Sequence, residues 1–207
     1  MIDIEVDLRS SFQSVRDQKD RPTCLAFATS AAHEIVRGSK SYLSAEYLYH
    51  FAKHGPDLGC TFPSMSAVLG TEGQPAETDC PLLSKEPSSP WKPPTGLHVF
   101  RRDSEFPSAG MQGVLETIRR GQAPVLGVRV LDPFFRPAPP WVISALGREH
   151  GLHAVVGAGI GRHNGELAIL IRNSWGKSWA DQGYAWLDET FLNQHLVAVM
   201  NLTGDLT

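Results

Sequence analysis

The stretch that decides the fold is Pro22-Thr23-Cys24-Leu25-Ala26-Phe27-Ala28-Thr29-Ser30-Ala31-Ala32. Pro22 and Thr23 suit a helix start, and the alanine-rich run behind Cys24 reads as a helix to Arg37, with Phe27, Ala31 and Ile35 on one stripe and Gly38 as its stop. A thiol is thereby placed at the positive end of a helix. A free cysteine, with a pKa of about 8.5, is only roughly 3% thiolate at pH 7, whereas a helix N-terminus plus an adjacent imidazolium moves it to about 3.5–7.5. Three further residues in distinctive contexts supply what such a nucleophile needs: His153 as base, Asn173 as orienting group and Gln18 as oxyanion donor.

The rest of the chain divides into a helical first half and a strand-rich second half. Ser44 caps a helix over Ala45 to Lys53 stopped by Gly55-Pro56, Ser64 to Leu69 reads as a shorter helix, and Met111 to Arg120 as another closed by Gly121. Five prolines between residues 81 and 94 hold the intervening chain extended, and the crossover between halves is expected near its end. Val125 to Val130 alternates, while His153 to Gly159, Leu167 to Ile171 and Tyr184 to Leu187 are short apolar runs punctuated by glycine, which suggests an antiparallel sheet or barrel.

Composition removes several classes of function. At 207 residues and 42% hydrophobic content the chain buries a substantial core, and a net charge of −3 from interspersed charges leaves no footprint for nucleic acid or anionic lipid. No run approaches the roughly 18 apolar residues of a membrane span, and the opening Met1 to Asp7 is acidic where a signal peptide is basic and then apolar. Three cysteines, Cys24, Cys60 and Cys80, leave at most one disulfide beside the nucleophile, so a reducing, cytoplasmic setting is expected and Cys60 and Cys80 are read as free thiols. His50 and His54 share a helix face, and His150 lies close to His153. The first pair has no third ligand in view and a metal at the second would occupy the proposed base, so no metal and no cofactor is expected.

Asp7-Leu8-Arg9, Gln18 six positions before Cys24, Leu43-Ser44-Ala45-Glu46, His153-Ala154-Val155 through Gly159-Ile160-Gly161, and Asn173-Ser174-Trp175-Gly176 followed by Trp179 and Gly183-Tyr184 resemble, in order and separation, the papain-like cysteine peptidases of the C1 family. His153 follows Cys24 by 129 residues and Asn173 follows by twenty more, close to the separation of about 130–150 residues for such a nucleophile and its partners. The resemblance implies an α+β fold in one domain over residues 1–207: a helical left subdomain, about residues 11–110, and an antiparallel, barrel-like right subdomain, about residues 111–207 plus 1–10, with the active site in the cleft between. It implies an endopeptidase that works through a Cys24 thiolate and His153 imidazolium and an acyl-enzyme, on a peptide bound extended. Asn173 fixes the imidazole tautomer, Trp175 shields that bond from water, and the Gln18 amide with the Cys24 N–H receives the oxyanion. Trp175, Ala154 and Met65 are the expected substrate contacts, and a monomer is the default state.

The departures from the family pattern point to compact, disulfide-poor bacterial members. Arg21-Pro22-Thr23 stands where many secreted members carry a disulfide cysteine, a glycine and a serine. Leu25 replaces a tryptophan, Phe62-Pro63 a glycine pair that holds substrate backbone, and Leu152 an acidic or amide residue. The opening motif begins by Asp7, so no inhibitory propeptide is expected and selectivity for a dedicated precursor peptide is expected in place of latency, with the Asp132 to Pro140 loop read as either a cleft rim or a plain surface loop. An acyltransferase or transglutaminase-like enzyme using the same thiol and imidazole is an alternative, as is a non-catalytic peptide-binding homologue. The latter predicts the loss of at least one chemical residue, and all are present.

Overall fold

The structure is a computed structural model and describes residues 2–55, 58–88 and 90–206. Three helices come first after a short edge strand. The edge strand is β1 (Ile2–Asp7); the helices are α1 (Cys24–Arg37), α2 (Ala45–Ala52) and α3 (Phe62–Thr71). Then follow β2 (Arg101–Glu105), α4 (Met111–Arg119), β3 (Val125–Leu131), the single turn α5 (Asp132–Phe135), β4 (Val142–Ile143), β5 (Glu149–His163), β6 (Glu166–Arg172), β7 (Tyr184–Asp188), α6 (Glu189–His195) and β8 (Leu196–Leu206). None of the described helices is long and apolar enough to cross a membrane.

The helix ends follow from local chemistry. α1 stops where Gly38 turns left-handed at φ 61° and its N–H closes on the carbonyls of Glu34 and Ile35. α2 starts where the Ser44 hydroxyl accepts the Tyr47 N–H, and Pro56 of its expected stop lies outside the described residues. α3 opens two residues earlier than expected, because Thr61 and Ser64 form a reciprocal capping box and Pro63 fits the first turn, where no N–H is needed.

The strands form one sheet in the order β2-β8-β3-β5-β6-β7-β4, with β1 pairing the far half of β5. The barrel expected from the sequence does not close. The sheet ends on the two-residue β4, which pairs β7 in parallel, and on β2, which packs against α3, so it is open and mixed rather than antiparallel and barrel-like. Alternation along β3 divides the core in two. Leu126, Val128 and Val130 face a cluster shared with α4, α5 and α6, whereas Val125 joins Ala154, Val156 and Met200 under α1, α2 and α3. Burial of apolar area on both faces, at about 25 cal/mol per Å², holds the helices to the sheet. The groove where α1 meets β5 holds Cys24 and His153.

Candidate active site

Cys24 is the first residue of α1 and is partly exposed. Burial pushes its thiol up, but a hydrogen bond and the charge of His153, together with the backbone N–H groups of Ala154 and Leu25, more than offset this and hold it below the ordinary cysteine range. His153 sits on β5, opposite Val128 of β3, and is almost fully buried. Its Nε2 lies 2.7 Å from Asn173 Oδ1. The Ser174 N–H also donates to that oxygen, at 2.8 Å, which identifies Oδ1 as the acceptor and makes Nε2 the protonated ring nitrogen. Nδ1 is left for the sulfur.

Asn173 follows the last residue of β6, and its N–H is tied to the Gly183 carbonyl at 2.9 Å. The Trp175 ring covers His153 with centroids 4.8 Å apart, so water is kept from the imidazole–amide bond. Beneath them the fully buried Phe134 of α5 makes edge contacts with both rings and stacks on Trp179, whose Nε1 donates to the Phe134 carbonyl at 2.7 Å. Within the 132–140 segment Phe134 is thus a buried support, while most of its neighbours are exposed. Phe135, half-exposed, stacks on Trp175 at the surface beside the site.

Gln18 arrives on a separate strand of chain, stitched to the Asn173 loop by bonds from the Gln18 N–H to the Ser174 carbonyl and from the Gly176 N–H to the Arg16 carbonyl. Gly176 is left-handed at φ 78°, and a Cβ there would meet the Asp17 carboxylate at 3.1 Å, so glycine is required for this close approach. The Gln18 Oε1 accepts from the Ser174 hydroxyl at 2.6 Å, and its Nε2 donates to the Arg21 carbonyl at 2.8 Å. One amide hydrogen remains for an oxyanion near the Cys24 N–H.

Beside the sulfur lies an apolar cleft of about 520 Å³. Phe62 and Pro63 wall it from α3, Gly127 floors it, Leu152 and Ala154 contribute from β5, and Val197 and Ala198 from β8. Gly127 makes room for a ring: a Cβ there would meet Phe62 at 3.0 Å. The structure therefore brings Gln18, Cys24, His153, Asn173 and Trp175 together and places Ala154 in the cleft wall. Met65, expected among the substrate contacts, is instead fully buried in the helical core, because the earlier start of α3 sets Phe62 and Pro63 at the wall and turns Met65 inward. Sequence reading missed the roles of Ser174, Phe134 and the Val197-Ala198 pair. Ser174 was visible within the Asn-Ser-Trp-Gly motif, while Phe134 and β8 carried no local signal.

The profile of the papain family cysteine proteases matches residues 2–202. The chain belongs to that family. Curated relatives of this papain-family chain include a probable cysteine protease, RDL6, of Arabidopsis thaliana, 28% identical over 86% of the chain and 52% of the relative, and mouse (Mus musculus) pro-cathepsin H, 23% identical over 82% and 54%. The chain thus spans about half the length of the curated relatives it matches. Among solved structures, xylellain, a cysteine protease from Xylella fastidiosa, superposes with a TM-score of 0.81 at 21% identity, over 96% of this chain and 85% of that one. The bromelain protease of Ananas comosus, in complex with the E64 inhibitor, superposes with a TM-score of 0.76 at 18% identity, over 96% and 97%. These two likenesses are of fold.

Proposed function

We propose that the chain is a thiol endopeptidase. The observation that carries this reading is the relay from Asn173 Oδ1 through the protonated His153 Nε2 to a Cys24 sulfur whose pKa is lowered, with a free Gln18 N–H beside it. The Cys24 thiolate attacks the carbonyl carbon of an extended peptide, and the resulting oxyanion takes hydrogen bonds from the Gln18 amide and the Cys24 N–H. As the C–N bond breaks, the imidazolium delivers its proton to the leaving amine, and an acyl-enzyme remains. His153 then takes a proton from water, hydroxide adds to the thioester, and the acid product leaves with the thiol regenerated.

The cleft supports selectivity over broad digestion. Pro63 has no N–H to donate to an extended substrate, and Phe62, Leu152 and Val197 present apolar surface in its place, which suits a dedicated precursor with an apolar side chain next to the scissile bond. A reducing, cytoplasmic setting accords with Cys24, Cys60 and Cys80 all being unpaired, and a monomer suffices because one chain supplies the whole site. Peptide-library cleavage read by mass spectrometry tests the reading. Hydrolysis at bonds preceded by an apolar residue, abolished by Cys24→Ala and by an epoxysuccinyl probe, is expected. Transfer of the acyl group to an added amine in place of hydrolysis, or rapid digestion of unrelated unfolded proteins, would refute it.

A further inference from the structure

Between the oxyanion amide and the nucleophile the chain runs through Arg21, which is only 6% exposed. Its carbonyl is the acceptor that holds Gln18 Nε2, and its guanidinium lies in a closed set of acidic partners. One edge of the fork pairs with both carboxylate oxygens of Glu46 on α2, with Nη2 to Oε1 at 2.9 Å, and Glu46 itself is 2% exposed. Nη2 also donates to Glu86 Oε2 at 2.8 Å and Nη1 to the Leu83 carbonyl at 3.0 Å, so the proline-rich segment is drawn onto the same group. Lys53 neutralises the second carboxylate by pairing with Glu86, and the Leu83 N–H donates back to Glu46 at 3.1 Å. The Tyr49 ring lies under the guanidinium at 5.0 Å. A bidentate guanidinium buried among two carboxylates is a rigid anchor that a lysine does not reproduce.

We propose that Arg21 is a positioning residue for the oxyanion site: clamped between α2 and the proline-rich segment, it fixes the carbonyl that aims the free Gln18 N–H. Nothing covalent does this work, because Cys60 across the cleft is a free thiol. The clamp touches neither the sulfur nor the imidazole, so it governs stabilisation of the oxyanion and not formation of the thiolate–imidazolium pair.

This separation gives the test, which rests on Gln18 acting as proposed above. Hydrolysis of a p-nitrophenyl ester passes through a tetrahedral oxyanion whatever the peptide preference, whereas alkylation of Cys24 by iodoacetamide is a displacement that forms none. Loss of an oxyanion donor in Gln18→Ala is expected to cost about 10²–10³ in kcat. Arg21→Lys is expected to cost roughly tenfold in kcat with KM unchanged, because it misaims the donor without deleting it. Alkylation should stay within about twofold of wild type, and in the Gln18→Ala background Arg21→Lys should cost less than about twofold. Glu86→Gln, which leaves the Arg21–Glu46 pair intact, should show the same pattern at a smaller size and serves should Arg21→Lys fail to fold. Equal losses in both backgrounds, or alkylation slowed in parallel with hydrolysis, would overturn the inference while leaving the peptidase reading standing. A Gln18→Ala variant as fast as wild type would overturn both.

Discussion

Acid should unfold this protein through His33, a fully buried histidine on the same helix as Cys24. Its Nδ1 lies 2.9 Å from Gln74 Oε1, and the amide nitrogen of Gln74 donates to Ser30 Oγ and to the Ser44 carbonyl. The amide orientation therefore makes Nδ1 the donor. A second proton would have to enter at Nε2, which is buried and has no partner. Burial, with smaller contributions from the positive charges of Arg102 and Arg37, pushes His33 down to about 4. In the unfolded chain it titrates near 6.5. Between these values the unfolded state holds more protons than the folded one, so stability is complete above about pH 6.5 and falls as the pH drops toward 4. A fall from 6.5 to about 4, at about 1.36 kcal/mol per pH unit, amounts to about 3 kcal/mol, of which about 2.5 kcal/mol is lost between pH 7.5 and 4.5. His33→Asn keeps an N–H for Gln74 and removes the titration. Urea unfolding at pH 7.5, 6.0 and 4.5 should show wild type losing about 2.5 kcal/mol more than His33→Asn over that range, even though the variant starts less stable. Two parallel curves would refute the reasoning, since every other titrating group, Glu34 included, is common to both proteins.

Three further outcomes follow from the site. The rate of Cys24 alkylation plotted against pH should have its midpoint below that of an ordinary thiol, and His153→Ala should move it upward, because burial then acts on the sulfur without the opposing imidazole; Cys60, pushed up to about 12 by burial and the neighbouring Cys24, should stay unlabelled below pH 9 in the same mass spectra. Phe134→Ala removes a fully buried ring from beneath His153 and Trp175 and should cost about 3–5 kcal/mol in urea unfolding, with a lowered kcat at temperatures where the variant is still folded. Phe62→Ala should widen the apolar cleft and shift cleavage profiles toward bulkier apolar side chains, whereas an unchanged profile would show that Phe62 does not contact substrate.

Which parts of this could be read along the chain depended on the range of the forces involved. The first helix was legible to the residue, from Cys24 to the left-handed Gly38, because capping and glycine stops act within one turn. Ile2, Ile4 and Val6 alternate with acids and mark the edge strand β1, a pattern open to inspection that the acidic opening obscured. β8 was hidden for a different reason: α6 runs into it at Leu196 without a glycine or proline to announce the change. The exposed start of β5 at Glu149 to Leu152 likewise lacks an apolar pattern, and only its pairing with β3 makes it strand.

The amino-acid order alone marked the candidate groups, a thiol at a helix start, an imidazole, an amide and a glutamine, by residue type and by the motifs around them. Tertiary structure alone decided which groups surround them. The Ser174 hydroxyl on Gln18, the Arg21 clamp with Glu46 and Glu86, the Phe134 support and the Phe62 wall all join residues far apart in the chain. Each of these contacts is favourable only after both faces of the sheet have buried their apolar area, and no local pattern encodes a partnership that solvent exclusion creates.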